Sequence, residues 1–186
     1  MPNRRVKGEL FADYVRMIRR RKDVDWTSRL TNEDLRYLCE PIDPAGWYPM
    51  TVFERLGDTI LAVIAGGDVQ MVRLWGRFSV EPLVEHYPTL LAKGDPVESL
   101  RRFQVLRSTL FDFSAIEVAT FTVGHAELEI HYHMGPIAEE AASYQAIGFF
   151  EGLLDLAGAT DVVAELTERS WAGDRRTRLV IDFASE

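Results

Sequence analysis

The hydrophobic period changes between Phe113 and Phe183, and that change limits the fold more than any other feature. Before about residue 111, apolar residues recur every three or four positions, as on one face of a helix. From Ile116 the period is two, with Ile116, Val118, Thr120 and Thr122 alternating with Glu117, Ala119, Phe121 and Val123. Gly124-His125 reads as a two-residue hairpin turn with glycine first. The returning strand sets Ala126, Leu128, Ile130 and Tyr132 on one face and Glu127, Glu129, His131 and His133 on the other. Gly135-Pro136 ends it, the helical period returns from Ile137, and Gly158 suits the end of that helix. Val162, Ala164 and Leu166, then Leu179, Ile181 and Phe183, mark two further strands around an Ala172-Gly173-Asp174 loop. This order predicts an α+β chain: an N-terminal helical layer followed by a four-stranded antiparallel sheet built as hairpin–helix–hairpin.

The part before residue 113 reads as helices throughout. Leu10/Phe11, Tyr14/Val15 and Met17/Ile18 predict an amphipathic first helix. Thr31 with Asp34 three residues on resembles a capping box, and Pro41 to Gly46 is turn chemistry. Trp47-Tyr48-Pro49 leads into a helix through Val52, Phe53, Leu56, Ile60, Leu61 and Ile64, stopped by Gly66-Gly67. Asp68 is a suitable N-cap for a further helix carrying Val69, Val72, Trp75 and Phe78. The clearest start is Asp95-Pro96 with Glu98, opening a helix that presents Leu100, Phe103, Leu106 and Leu110. No linker, repeat or low-complexity tract interrupts the chain, so it reads as one domain over 1–186, helical from about 7 to 111 and sheet-forming from about 113 to 184.

Composition excludes some classes of function. With 47% hydrophobic and 27% charged residues, disorder is not expected. The net charge of -8 opposes binding to nucleic acid or anionic membranes, which need positive charge. The exception is Arg19-Arg20-Arg21-Lys22, which reads as a solvated helix end favoured by the dipole, or as a docking patch that would allow a homodimer. A single cysteine, Cys39, rules out an intrachain disulfide and is expected to fill a core gap. The N-terminus lacks the apolar region of a secretory signal, and no apolar run approaches a membrane span, so the expected location is cytoplasmic.

Reactive constellations are sparse. His131, His133, Glu127 and Glu129 share one predicted strand stripe, and a His-x-His pair can chelate zinc or iron. The same stripe is what the solvent face of a half-buried antiparallel sheet looks like. Gly66-Gly67-Asp68 could hold an anion before a helix or simply cap the preceding one, and Glu139/Glu140 resembles an acidic first turn. No nucleophile elbow or phosphate loop is present. The aromatics Trp47, Tyr48, Trp75, Phe78, Phe103, Phe111 and Phe113 gather in the helical half and its junction with the sheet. They are core residues or the lining of an apolar cavity beneath a helical cap.

The order of elements, with Val6-Lys7-Gly8 before the first helix, resembles the haem-nitric-oxide/oxygen-binding (H-NOX) fold of the superfamily that serves nitric-oxide signalling and Golgi transport. Leu128-Glu129-Ile130-His131-Tyr132 and Gly148-Phe149-Phe150-Glu151-Gly152 are the local matches. The second of these, with Leu153 to Gly158 and Trp47-Tyr48-Pro49, looks even more like an uncharacterised bacterial family known mainly from myxobacteria. The resemblance implies a haem iron ligated by a histidine in the last helix before the sheet, and propionates held by a Tyr-x-Ser-x-Arg motif. Here that helix has no histidine and Phe103 stands near the expected place. Tyr132 matches the motif, but Met134 replaces the serine and Pro136 the arginine.

The expectation is therefore a non-catalytic, haem-free regulatory module without a cofactor, binding a small apolar ligand, a protein partner, or both. Its candidate pocket residues are Trp47, Tyr48, Trp75, Phe78, Phe103 and Tyr132. Two alternatives stay open. One is a haem-based gas sensor with a non-standard axial ligand such as His86; the other is a metal-dependent enzyme using His131 and His133.

Overall fold

The structure is a computed structural model that describes residues 4–185. A short strand, β1 (Arg5–Lys7), leads into α1 (Gly8–Arg20), followed by α2 (Asn32–Cys39) and β2 (Trp47–Pro49). Then come α3 (Met50–Thr59), a π-helical turn (Ile60–Ile64), α4 (Val69–Phe78), α5 (Val80–His86) and α6 (Pro96–Leu110). The remainder is β3 (Ile116–Thr122), β4 (His125–Ile130), α7 (Pro136–Leu156), β5 (Thr160–Glu168) and β6 (Thr177–Ala184). The α+β class and the hairpin–helix–hairpin order are as the sequence predicts. The helical half, however, contains a two-stranded ribbon, in which β1 pairs antiparallel with β2 and Val6 lies opposite Tyr48. Three-residue strands, one ending in proline, are too short to show a period of two.

The main sheet has the order β3-β4-β6-β5, all antiparallel. Its centre is the β4–β6 pair, with Leu128 opposite Leu179 and Ala126 opposite Ile181, all fully buried. Three details depart from the sequence reading. A bulge between Val118 and Thr120 reverses the alternation of β3, so Thr120 is exposed and Phe121 lies opposite buried Ala126. The hairpin turn is Val123-Gly124, one residue earlier than predicted, and Gly124 takes the left-handed conformation (φ 83°). β4 ends at Ile130, so His131 and His133 lie beyond the strand, His133 itself in a left-handed conformation (φ 56°).

α7 is apolar nearly all round because it is covered on both sides, with Phe150, Leu153 and Leu154 fully buried. Its closest neighbour is α4. Gly76 and Gly148 let the two backbones touch, since a Cβ on either would overlap a main-chain carbonyl of the other helix. Arg73 of α4 and Glu151 of α7 form an ion pair beside this contact, with Arg73 Nε 3.1 Å from Glu151 Oε2. The Gly148–Gly152 motif thus works as a helix-packing device.

The capping box of α2 is formed as predicted, and Asp34, fully buried, also receives both Nε and Nη2 of Arg55. Cys39 is exposed, not packed in the core, because it is the last residue of a short helix that ends at the surface. Part of the basic run is used within the fold. Arg19 donates to the carbonyls of Tyr37, Leu38 and Glu40 at the end of α2, and Arg21 pairs with Asp23. No helix among the described residues is long and apolar enough to cross a membrane.

Candidate functional site: an open cavity between helices and sheet

A cavity of about 310 Å³ lies where the helical half meets the sheet half. On one side α1 supplies Glu9, Leu10, Asp13, Tyr14 and Arg16, and α5 supplies Pro82, Leu83 and His86. Opposite stand Phe103 and Leu110 of α6, Ile116 of β3 and Tyr132 just beyond β4. α7 closes it with Ala142, Gln145, Ala146 and Phe149. The alanines leave the room, because larger side chains on that face would fill the space. Phe103 is held in the wall edge-on to Phe150, with ring centroids 4.8 Å apart.

The polar groups fall into two sets. The charged set lies on α1 and α5 and is paired within itself: Arg16 Nη1 is 2.8 Å from Asp13 Oδ1, and His86 Nε2 is 2.5 Å from Glu9 Oε1. Burial raises the Asp13 pKa despite Arg16, and burial together with Glu9 pushes the Tyr87 phenol up to about 12. The uncharged set is Tyr14, Gln145 and Tyr132. Tyr14 Oη donates to Gln145 Oε1 at 2.6 Å. Tyr132 is only 6% exposed, and its backbone N–H donates to Glu139 Oε1, which also keeps the start of α7 in place. Its hydroxyl makes no hydrogen bond among the described residues. Burial raises the pKa of both phenols, so each stays protonated.

Of the six pocket residues proposed from sequence, Phe103 and Tyr132 line this cavity. Trp75 lines a separate void of about 20 Å³, beside Tyr14 and Phe53. Trp47 and Tyr48 line neither: β2 turns Trp47 towards Lys7 and Arg5, while Tyr48 stacks on Phe11 at 4.5 Å. Phe78 is corrected outright. It is 66% exposed, because it lies two residues, about 200° of helix turn, beyond the buried Gly76. Tyr14, Gln145, Glu9 and Asp13 were missed. The one sequence signal for them was Gln145, a lone uncharged amide amid the apolar run of α7.

His131 and His133 have near-parallel rings with centroids 6.0 Å apart, and His131 Nε2 is 3.3 Å from Glu129 Oε2. Burial, Arg4 and His131 lower the His133 pKa. Among the described residues no group of three or more His, Cys, Asp or Glu side chains has a metal-binding arrangement.

No family model and no curated protein matches the sequence. Solved structures do match, and they agree with one another. The Fe(II) unliganded H-NOX protein from K. algicida superimposes with a TM-score of 0.67 over 97% of both chains, at 12% identity. This chain has the H-NOX-like fold. The S. oneidensis H-NOX protein in its Fe(II)NO ligation state gives a TM-score of 0.65 at 11% identity, covering 96% of this chain and 99% of that one. A point mutant of T. tengcongensis H-NOX gives 0.61 at 16% identity, covering 95% and 97%. Both halves of the H-NOX-like fold, helical and sheet, are included in these coverages.

Proposed function

We propose that this protein is a non-catalytic, haem-free regulatory module in which the open cavity between helices and sheet holds a small, largely apolar ligand. The observation that carries the reading is the cavity itself, at the junction of the two halves of an H-NOX-like fold, with Phe103 in its wall. The volume and apolar lining are those of small-ligand sites. Because α1 and α5 face α6 and α7 across it, occupancy would change how the two halves pack, and a protein partner could read that change. The outer face of α4 supports a partner, since Met71, Leu74 and Phe78 are 40%, 49% and 66% exposed at helical spacing. The basic end of α1 supports a homodimer less well, as Arg19 and Arg21 are engaged within the fold.

The donor set does not fit a haem held in the H-NOX manner. The H-NOX arrangement that the resemblance implies uses an axial histidine on the last helix before the sheet and a cation for the propionates, and the lining offers one imidazole, on α5, and one guanidinium. The imidazole, His86, is 58% exposed and tied to Glu9, and the guanidinium of Arg16 is paired with Asp13. Two measurements test the proposal. Equilibrium dialysis should show diphenylmethane binding that is lost on filling the cavity with Ala146→Phe, or with Leu83→Phe if melting shows the first variant to be unfolded. Protein purified with haem supplied should show no Soret band; a band that disappears in His86→Ala would overturn the haem-free reading in favour of a gas sensor ligated by His86.

A further inference from the structure

The wall that Tyr132 and α7 give the cavity holds unused hydrogen-bonding capacity of one kind. Tyr132 is 6% exposed, lines the cavity, and has a hydroxyl without a partner among the described residues. The phenol O–H faces the cleft as a donor that either water or a ligand can meet. Gln145, which lines both this cavity and the small void beside it, has its carbonyl oxygen taken by Tyr14 Oη at 2.6 Å, and its amide N–H groups have no partner among the described residues. Tyr14 is close enough to Tyr132 to help keep the second phenol protonated. Both free groups are therefore neutral donors.

The charges of the cavity point the same way. Arg16, the one guanidinium of the lining, is occupied by Asp13, and the His86 ring nitrogen lies against Glu9, so neither is free for an anionic head group. The two carboxylates, one turn apart on α1, disfavour an anion on that side. Glu9 Oε2, buried and without a hydrogen-bond partner among the described residues, adds an acceptor on that wall that repels a carbonyl oxygen as well. An acceptor group on a ligand is thus directed to the Tyr132 side.

We infer that the cavity selects an uncharged, mostly apolar molecule carrying a carbonyl oxygen, which accepts hydrogen bonds from Tyr132 Oη and the Gln145 amide. This rests on the reading of the cavity as a ligand site and adds the chemical class of the ligand. Apolar walls such as Phe103, Phe149 and Ala146 bind the body, and the two donors fix which end enters. No covalent step is involved.

The test uses the full chain and three diphenyl probes: benzophenone, diphenylmethane and diphenylacetate. Their bridging carbon carries a carbonyl oxygen in the first, two hydrogens in the second, and one hydrogen with an added carboxylate in the third. Equilibrium dialysis is expected to show benzophenone binding about 10-fold more tightly than diphenylmethane, the yield of one or two net hydrogen bonds. Diphenylacetate should bind most weakly. Tyr132→Phe, which removes one oxygen and little volume, should reduce the benzophenone advantage to about threefold or less while leaving diphenylmethane unchanged. Gln145→Leu should act in the same direction. Equal binding of benzophenone and diphenylmethane, an advantage that survives both variants, or preference for diphenylacetate would overturn the inference while leaving the cavity a ligand site. Failure of all three probes to bind would overturn both.

Discussion

The Cα of Gly148 in α7 lies against the main-chain carbonyl of Arg73 in α4, so closely that no side chain fits between them. This contact sets how near α4 can come to α7 and lets Arg73 reach Glu151. Gly148→Ala should push the helices apart and destabilise the protein by about 3 kcal/mol, the upper end of the usual cost of overpacking. Urea unfolding is the check, and a loss below about 1 kcal/mol would mean that the helices can separate freely.

Asp34 supports the N-terminus of α2 and takes the Arg55 guanidinium at the same time. Burial acts to raise its pKa, but the hydrogen bonds from Arg55 and Thr31 outweigh it and hold the carboxyl below its usual value. Stability from a depressed carboxyl is present above its unfolded pKa and lost as pH falls through the folded one. Asp34→Ala is expected to cost about 3 kcal/mol at neutral pH, combining a lost cap and a broken pair. The gap to the parent protein should narrow as the pH is lowered below about 4. A gap independent of pH down to the acid transition would show that the charge is not involved.

His125 opposes Asp182 across the β4–β6 pair, with Nδ1 2.7 Å from Oδ1. Its pKa is raised, mainly by that hydrogen bond and against desolvation, with Glu127 adding to the rise. A raised histidine stabilises fully below its unfolded pKa near 6.5 and loses that contribution as pH rises through the folded value. Asp182→Asn should therefore lower the urea midpoint at pH 5.5 and leave it nearly unchanged at pH 9. The site is exposed, so the effect stays below about 1 kcal/mol. An equal loss at both pH values would assign it to β4–β6 packing instead.

Phe78 is an aromatic that the helical pattern places among the pocket candidates and that the fold leaves outside. Phe78→Ser should change stability by no more than about 0.5 kcal/mol, as for other surface positions, and should not alter ligand binding in the cavity. Thermal melting and the dialysis measurement together check this. A loss of several degrees in the melting temperature would show that the ring is covered in solution, by a second copy or another contact.

The elements of this protein are written locally and are legible in its sequence. The α2 capping box, the Asp95-Pro96-Glu98 start of α6 and the alternation along β4 each depend on residues a few positions apart. The bulge in β3 was not legible, because an extra residue is defined only against the partner strand. Nor was the β1–β2 ribbon, which is held by pairing across some forty positions of chain. The site follows the same division. That Phe103 and Tyr132 could face a cavity is suggested by residue type and by the resemblance to H-NOX domains. That Tyr14 bonds Gln145 across 131 positions of sequence depends on the way α1 meets α7, and so does the wall the two share with Tyr132. Outside the β1–β2 ribbon and the β3 bulge, the sequence determined which segments are helix or strand and which face of each is apolar, since those follow from neighbours in the chain. Only the tertiary structure decided which of those faces close on one another and which stop short, and the space left between them is the cavity.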